Sequence, residues 1–315
     1  MKDCGAREFK DIVQYSLKAV LDLLIPRKCI VCEKSLGTTE KHLCRECLED
    51  LPHTYYWLRK FNPMADRFNA LIQEGLEKQN AWQIPKEELD TPMLSDGIDE
   101  PEVLQSAWPA HGTTSQHYVY ATALFFYRAE SGYSQITRQL KYHGDIPAGR
   151  LFGQMLGKKI ASAEHFADVD AIIPVPLHWT RKWSRGYNQA EIIAREVASI
   201  LGAELRTDIL QRSRRTRTQT KLSIEGKAAN VQGAFVVQEN IFDCFKNKNS
   251  GRSSSHNKLN KKADCSDLTN LKHLLLIDDV FTTGSTLHAC YQALRSIFPP
   301  EVRISVATLA FVGEA

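Results

Sequence analysis

Two hydrophobic periods alternate along the C-terminal two thirds of this chain. Apolar Leu274 to Ile277 run unbroken into two acids. A run that short and that uniform reads as a strand buried on both faces of a parallel sheet. The following "TLHACYQALRSIF" places Leu287, Cys290, Tyr291, Leu294 and Phe298 on one helical stripe. The same alternation holds upstream. "YVYATALFFY", "DAIIPVP", "AELRTDIL", "GAFVV" and "RISVATLAFV" read as strands. "YSQITRQLKYHG", "AGRLFGQMLGKKIA" and "NQAEIIAREVASILG" read as helices, the last opening with a capping box of Asn188 and Glu191. Such alternation predicts an α/β fold: a parallel sheet with helices on both faces, over residues 117–315.

The pattern weakens elsewhere. Residues 62–116 are rich in acids, Gln and Pro, and show only a short helical stretch from Phe68 to Leu76. We read 59–116 as an insertion or linker with little core of its own. A second polar insertion, basic in character, spans 238–270. Residues 1–58 form a separate module, opened by a helical stripe of Phe9, Ile12, Val13, Leu17, Val20, Leu21 and Leu24.

Chemistry enters at the turn after Ile277. Thr282, Thr283, Gly284, Ser285 and Thr286 offer hydroxyls and backbone N–H groups at a helix N-terminus, where the dipole favours an anion. Gly284 lets the backbone take positive φ and approach a ligand. Asp278 and Asp279 would repel a phosphate but accept hydrogen bonds from vicinal sugar hydroxyls. One ligand satisfies both halves, a ribose 5-phosphate. No G-x-x-x-x-G-K-[ST] or G-x-G-x-x-G accompanies it, so triphosphate and dinucleotide loops fit worse. The string resembles the phosphoribosyl-pyrophosphate (PRPP) loop of type I phosphoribosyltransferases, two acids after a hydrophobic strand and then T-T-G-[ST]-T.

A pyrophosphate-bearing donor needs a second anion pocket. "PVPLHWTRKWSRGYNQ" presents Arg181, Lys182 and Arg185 in a loop after the Ile172–Ile173 strand, with Gly186 before the next helix. "RSRRTRTQTKLSIEGKAANVQGAF" is basic and hydroxyl-rich, as suits a flap closing over a polyanion, with Arg215 and Arg217 in it. Mg²⁺ is implied, because it prefers phosphate oxygens and few protein ligands.

The N-terminal module holds Cys29, Cys32, Cys44 and Cys47 as two C-x-x-C pairs eleven residues apart. That spacing matches a Cys₄ structural Zn²⁺ site. Four thiolates fill a tetrahedron, so neighbouring His42 is left out and no position remains for catalysis.

Charge and composition narrow the setting. The net charge of +3 conceals an acidic run at 86–102 and basic runs at 206–227 and 246–262, which by themselves are solvated segments rather than proof of nucleic-acid binding. No apolar run approaches the ~18 residues of a membrane span, and the first residues lack a signal-peptide layout. We expect a cytoplasmic protein whose eight cysteines are reduced or metal-bound.

The order and wording of five blocks resemble the ComF/GntX-like family, the competence protein F relatives: "LLIPRKCIVC…LCREC", "QLKYHGD", "IIPVPLHWTRKWSRGYNQAEIIA", "RTQTKLSIEGKAANVQGAF" and "LLLIDDVFTTGSTL". The likeness spans residues 20–58 and most of 118–312. It implies a Cys₄ zinc module followed by a type I phosphoribosyltransferase-like domain. It also implies that Asp278, Asp279, Thr282, Thr283, Gly284, Ser285 and Thr286 bind the ribose 5-phosphate of PRPP, with Arg181, Lys182, Arg185 and Gln189 beside the pyrophosphate. Two insertions are longer than the family pattern, and Lys227 stands where an Arg is common. Relatives often labelled amidophosphoribosyltransferases would need a glutaminase domain with an N-terminal Cys, which this sequence does not show. The resemblance points to natural transformation, with single-stranded DNA and a competence helicase as partners. Two readings stay open: a phosphoribosyltransferase acting on an unidentified acceptor, or a non-catalytic module that senses PRPP and binds DNA or a helicase.

Overall fold

The computed structural model describes residues 26–81, 118–213, 233–238, 241, 268 and 270–313. The expected N-terminal helix, the flap with Arg215 and Arg217, Lys227 and nearly all of 238–270 lie outside these residues. Five strands, β1 (Ala121–Phe126), β2 (Ala171–Pro174), β3 (Glu204–Leu205), β6 (His273–Phe281) and β7 (Arg303–Phe311), form one sheet in the order β1-β7-β6-β2-β3. Every pairing in it is parallel. The buried runs Leu274–Ile277 and Ala171–Pro174 lie side by side at its centre, covered on both faces as their composition requires.

Helices on both faces supply the cover. On one, α2 (Pro63–Ala81) and α7 (Ser285–Arg295) pack Phe68, Ile72, Leu287 and Leu294 against Leu274, Leu276, Ile304 and Val306. On the other, α4 (Ile146–Ala161) and α6 (Gln189–Leu201) pack Phe152, Leu156, Ile193 and Val197 against Leu275, Ile277, Ala307 and Leu309. Gly149, Gly153 and Gly157 line α4 at every fourth residue, and a Cβ at any of them would meet α6 or Leu140 at 2.9–3.0 Å. That stripe seats α6, whose N-terminus borders the site.

α2 revises the expectation for the segment after residue 59. It is longer than Phe68–Leu76, and Met64, Ala65, Phe68 and Ile72 are all buried in the main core. Residues 59–81 therefore contribute core rather than linker. Residues 82–116 lie outside the described residues.

Three further differences are local. "YSQITRQLKYHG" gives a short helix, α3 (Ser134–Arg138), that widens into a π-turn over Gln139–His143. Asn188 starts α6 in the extended conformation of an N-cap, but its Nδ2 donates to Val175 O at 3.0 Å instead of its side chain capping the helix. "AELRTDIL" divides into β3 and β4 (Leu210–Arg212), and β4 pairs antiparallel with β5 (Phe235–Val237). This small ribbon brackets the basic stretch.

The N-terminal end of the central strands is fastened by a polar network. His273 is fully buried and joins Asp168 Oδ1 at 2.9 Å and Ser305 Oγ at 2.8 Å, while Arg303 pairs with Asp168. The order Asp–His–Ser is that of a hydrolase relay, but Ser305 lies 1% exposed within β7, so no substrate reaches it. The network is structural. Among the described residues no helix is long and apolar enough to cross a membrane.

Candidate functional site

Consecutive connections leave the centre of the sheet in opposite directions. β2 leads outward to β3, whereas β6 leads the other way to β7. Ligands of open α/β sheets bind in the crevice beyond the strand ends at such a point. β2 and β6 pair in parallel, so the chain after Pro174 and the turn after Phe281 leave the same end of the sheet.

The turn is compact. Residues 282–284 bend, and α7 begins at Ser285 with Gly284 as its N-cap at φ 82°. A Cβ at Gly284 would fall 2.6 Å from Phe281 Cζ and 2.8 Å from Leu71 Cδ1, so α2 supports the turn from below. Thr283 Oγ1 and Ser285 Oγ are 2.9 Å apart and face the same space. The first N–H groups of α7 have no acceptor within the helix, and the turn leaves them beside those hydroxyls.

The two acids do not share a side. β6 runs on to Phe281, beyond the expected end at Ile277, and its side chains alternate between the faces. Leu274 and Leu276 belong to the α2–α7 face, and Leu275 and Ile277 to the α4–α6 face. Asp278 therefore follows the first pair, toward Cys290 and Arg212, and Asp279 the second. Burial, with the neighbouring Asp279 carboxylate, pushes the Asp278 carboxyl up to about 7. Asp279 is held by Lys141 of the π-turn, Nζ to Oδ2 2.9 Å. Burial works against the Lys141 ammonium, but Asp279 and Asp278 outweigh it and raise its pKa.

Cations gather on the β2 side. Arg181, Lys182 and Arg185 sit on a helix, α5 (Trp179–Arg185), not in the expected loop, and Gly186 ends it at φ 81°. Arg185 lies over the Tyr142 ring at 5.5 Å and near enough to Lys141 to repel it. Burial and repulsion from Arg181 lower the Arg212 pKa. Like charges held against their own repulsion at a strand-end crevice form a field for an anion. Gln189 is 4% exposed, and its Nε2 has no hydrogen-bond partner among the described residues. Lys141 and Arg212 were not among the candidates drawn from the sequence. The only local signal was the "QLKYHGD" block, where a π-turn, frequent at functional sites, now appears.

The second cluster lies in the N-terminal module. One donor atom from each of Cys29, Cys32, Cys44 and Cys47 comes within 4.8 Å of the others, and Cys32 and Cys44 Sγ are 3.6 Å apart. A tetrahedron of Zn–S bonds near 2.3 Å has edges of about 3.8 Å. Cys29 and Cys44 Sγ accept backbone N–H groups from Cys44 and Cys47 at 3.4 and 3.5 Å, which favours thiolates. Cys44 caps the short helix α1 (Arg45–Glu49), and Glu33 turns the first knuckle at φ 60°. His42 is engaged elsewhere, with Asp145 at 3.4 Å. The donor set fits structural zinc. His53 and Thr54 fasten the module to Leu124 and Ala123 of β1.

Comparison with known proteins agrees with this division. Residues 20–56 match a family described as a double zinc ribbon domain. Competence protein F of Haemophilus influenzae is 27% identical over 54% of this chain and 65% of its own length. The DNA utilization protein YhgH is 29% identical in Escherichia coli O157:H7 and 25% identical in Salmonella typhi, each over 51% of this chain and 60% of the relative. The chain thus spans about three fifths to two thirds of the length of these curated relatives. The zinc-ribbon match and these relatives together support a ComF-like family for this chain.

Proposed function

We propose that the crevice between β2 and β6 binds PRPP, and that the protein acts in the handling of DNA during uptake. The observation that carries the first half is the meeting of two unlike surfaces at one strand-end crevice. The turn at 282–286 offers hydroxyls and helix N–H groups for the 5-phosphate, with Asp278 and Asp279 straddling the strand end beside it. Arg181, Arg185 and buried Gln189 lie on the β2 side, as a pyrophosphate requires. Because the acids point to opposite faces, a ribose meets both only by lying across the C-terminal end of the central strand. Mg²⁺ comes with the pyrophosphate, whose oxygens it prefers.

The DNA-handling half rests on the names of the relatives, a competence protein and a DNA utilization protein. Two roles for PRPP follow, donor of a phosphoribosyl group to an acceptor or ligand of a non-catalytic sensor. Titration calorimetry of the protein with Mg²⁺ and PRPP tests the site, and absence of binding would refute it. Pyrophosphate release with nucleobases, amines and oligonucleotides as acceptors then separates enzyme from sensor.

A further inference from the structure

Helix α5 carries a feature that PRPP binding does not use. Trp179 is 70% exposed and Trp183 87%, and four residues apart on a helix they share one face. Tyr142, next to Lys141 on the π-turn, is 70% exposed, and Arg185 lies over its ring. Trp179 meets the His178 ring at 5.7 Å and stays 70% exposed beside it. Two other exposed aromatics among the described residues lie outside this helix.

We propose that Trp179, Trp183 and Tyr142 form a base-stacking platform for single-stranded nucleic acid. This deepens the DNA-handling half of the function above and does not rest on PRPP binding. The chemistry points to this partner over a protein or a duplex. "WTRKWSR" interleaves two indoles with three cations and no acid, which matches a chain of flat rings strung on phosphates. A duplex keeps its base faces stacked internally, so indoles in solvent serve unpaired bases. The platform adjoins the crevice, because Arg185 lies over Tyr142 and the neighbouring Lys141 pairs with Asp279. A strand laid on it runs beside the mouth of the proposed PRPP site.

The test is fluorescence anisotropy of a labelled oligothymidylate about 16 nucleotides long, with Trp179→Ala, Trp183→Ala and the double variant. Both rings are exposed, so the variants should melt like the wild type. Each substitution should weaken binding by about 5- to 100-fold, with the salt slope unchanged because no ionic contact is lost. An abasic oligonucleotide of equal length should bind the wild type as weakly as the thymidylate binds the double variant. Retained affinity in the double variant, equal binding of the abasic probe, or no binding by the wild type would each overturn the proposal. Calorimetry with PRPP on the wild type, beside its oligonucleotide binding, keeps the two readings apart. Normal stacking without PRPP heat would uphold this inference and refute the PRPP site.

Discussion

Lys141 Nζ lies 2.9 Å from Asp279 Oδ2 and joins the π-turn over Gln139–His143 to the central strand. Asp279 is only 8% exposed, so losing its partner strands a charge. A fully buried pair broken on one side costs about 3–5 kcal/mol. Here the Lys141 side chain is 31% exposed, so solvent relieves part of that, and we expect Lys141→Met to cost about 2 kcal/mol. Lys141→Arg should recover part of it. A denaturation cycle with Asp279→Asn should yield a coupling above about 1 kcal/mol. Simple additivity would show the pair to be incidental.

Gly284 separates the folding role of the turn from its binding role. Gly284→Val forces a β-branched residue to φ 82° and a Cβ into Phe281 and Leu71. Strain and overpacking together should cost about 2–4 kcal/mol of stability and abolish PRPP binding. Thr283→Ala and Ser285→Ala touch no core, so their melting should hold while each loses about 1.5–3 kcal/mol of PRPP affinity. Calorimetry beside thermal melts reads both. Wild-type affinity in all three variants would remove the turn from the site.

Much of the sheet was legible because its strands are short uninterrupted apolar runs and its helices carry clear stripes. The misses have physical causes. Met64, Phe68 and Ile72 were spaced for a helix, but the polar residues around and after them hid that α2 is core. The strand was expected to stop at Ile277 because acids follow. It runs on to Phe281, and period-2 alternation then divides Asp278 from Asp279. The capping box failed because Val175 O, brought in by tertiary structure, takes the Asn188 amide. Lys141 was missed for the same reason, since the "QLKYHGD" block marked the stretch but not the acid that its lysine meets 138 positions later. The four cysteines were readable because metal spacing is a local constraint.

Zinc should be a folding ligand. Structural zinc contributes about 10–16 kcal/mol of apparent binding energy in finger peptides, far more than so small a module gains from burial. We expect one zinc per chain by elemental analysis. Cys44→Ser should lose it, and removal should loosen His53 and Thr54 from β1 as well, since both follow the cluster directly. Hydrogen exchange at Phe126, whose N–H bonds to Pro52 O, reports that loosening. Zinc-free protein with wild-type exchange there would contradict a structural role.

Stability against pH should show two opposing slopes. Burial lowers the His273 pKa from 6.5 to about 4, so the fold holds it neutral. Between those values the unfolded chain binds the extra proton, and stability rises with pH, reaching its full value above 6.5. Asp278 is the reverse case. Its pKa is raised from 3.8 to about 7, so the fold keeps a proton the unfolded chain has lost, and stability falls as pH rises across that window. The two slopes have opposite sign, and from about 4 to 6.5 they largely cancel. Asp278→Asn removes the falling slope alone. Urea denaturation should then show the variant gaining on the wild type by about 2–3 kcal/mol between pH 4.5 and 6.5. Taking the difference between the two proteins cancels the other histidines and carboxylates. A flat difference would mean that Asp278 is ionised in the fold.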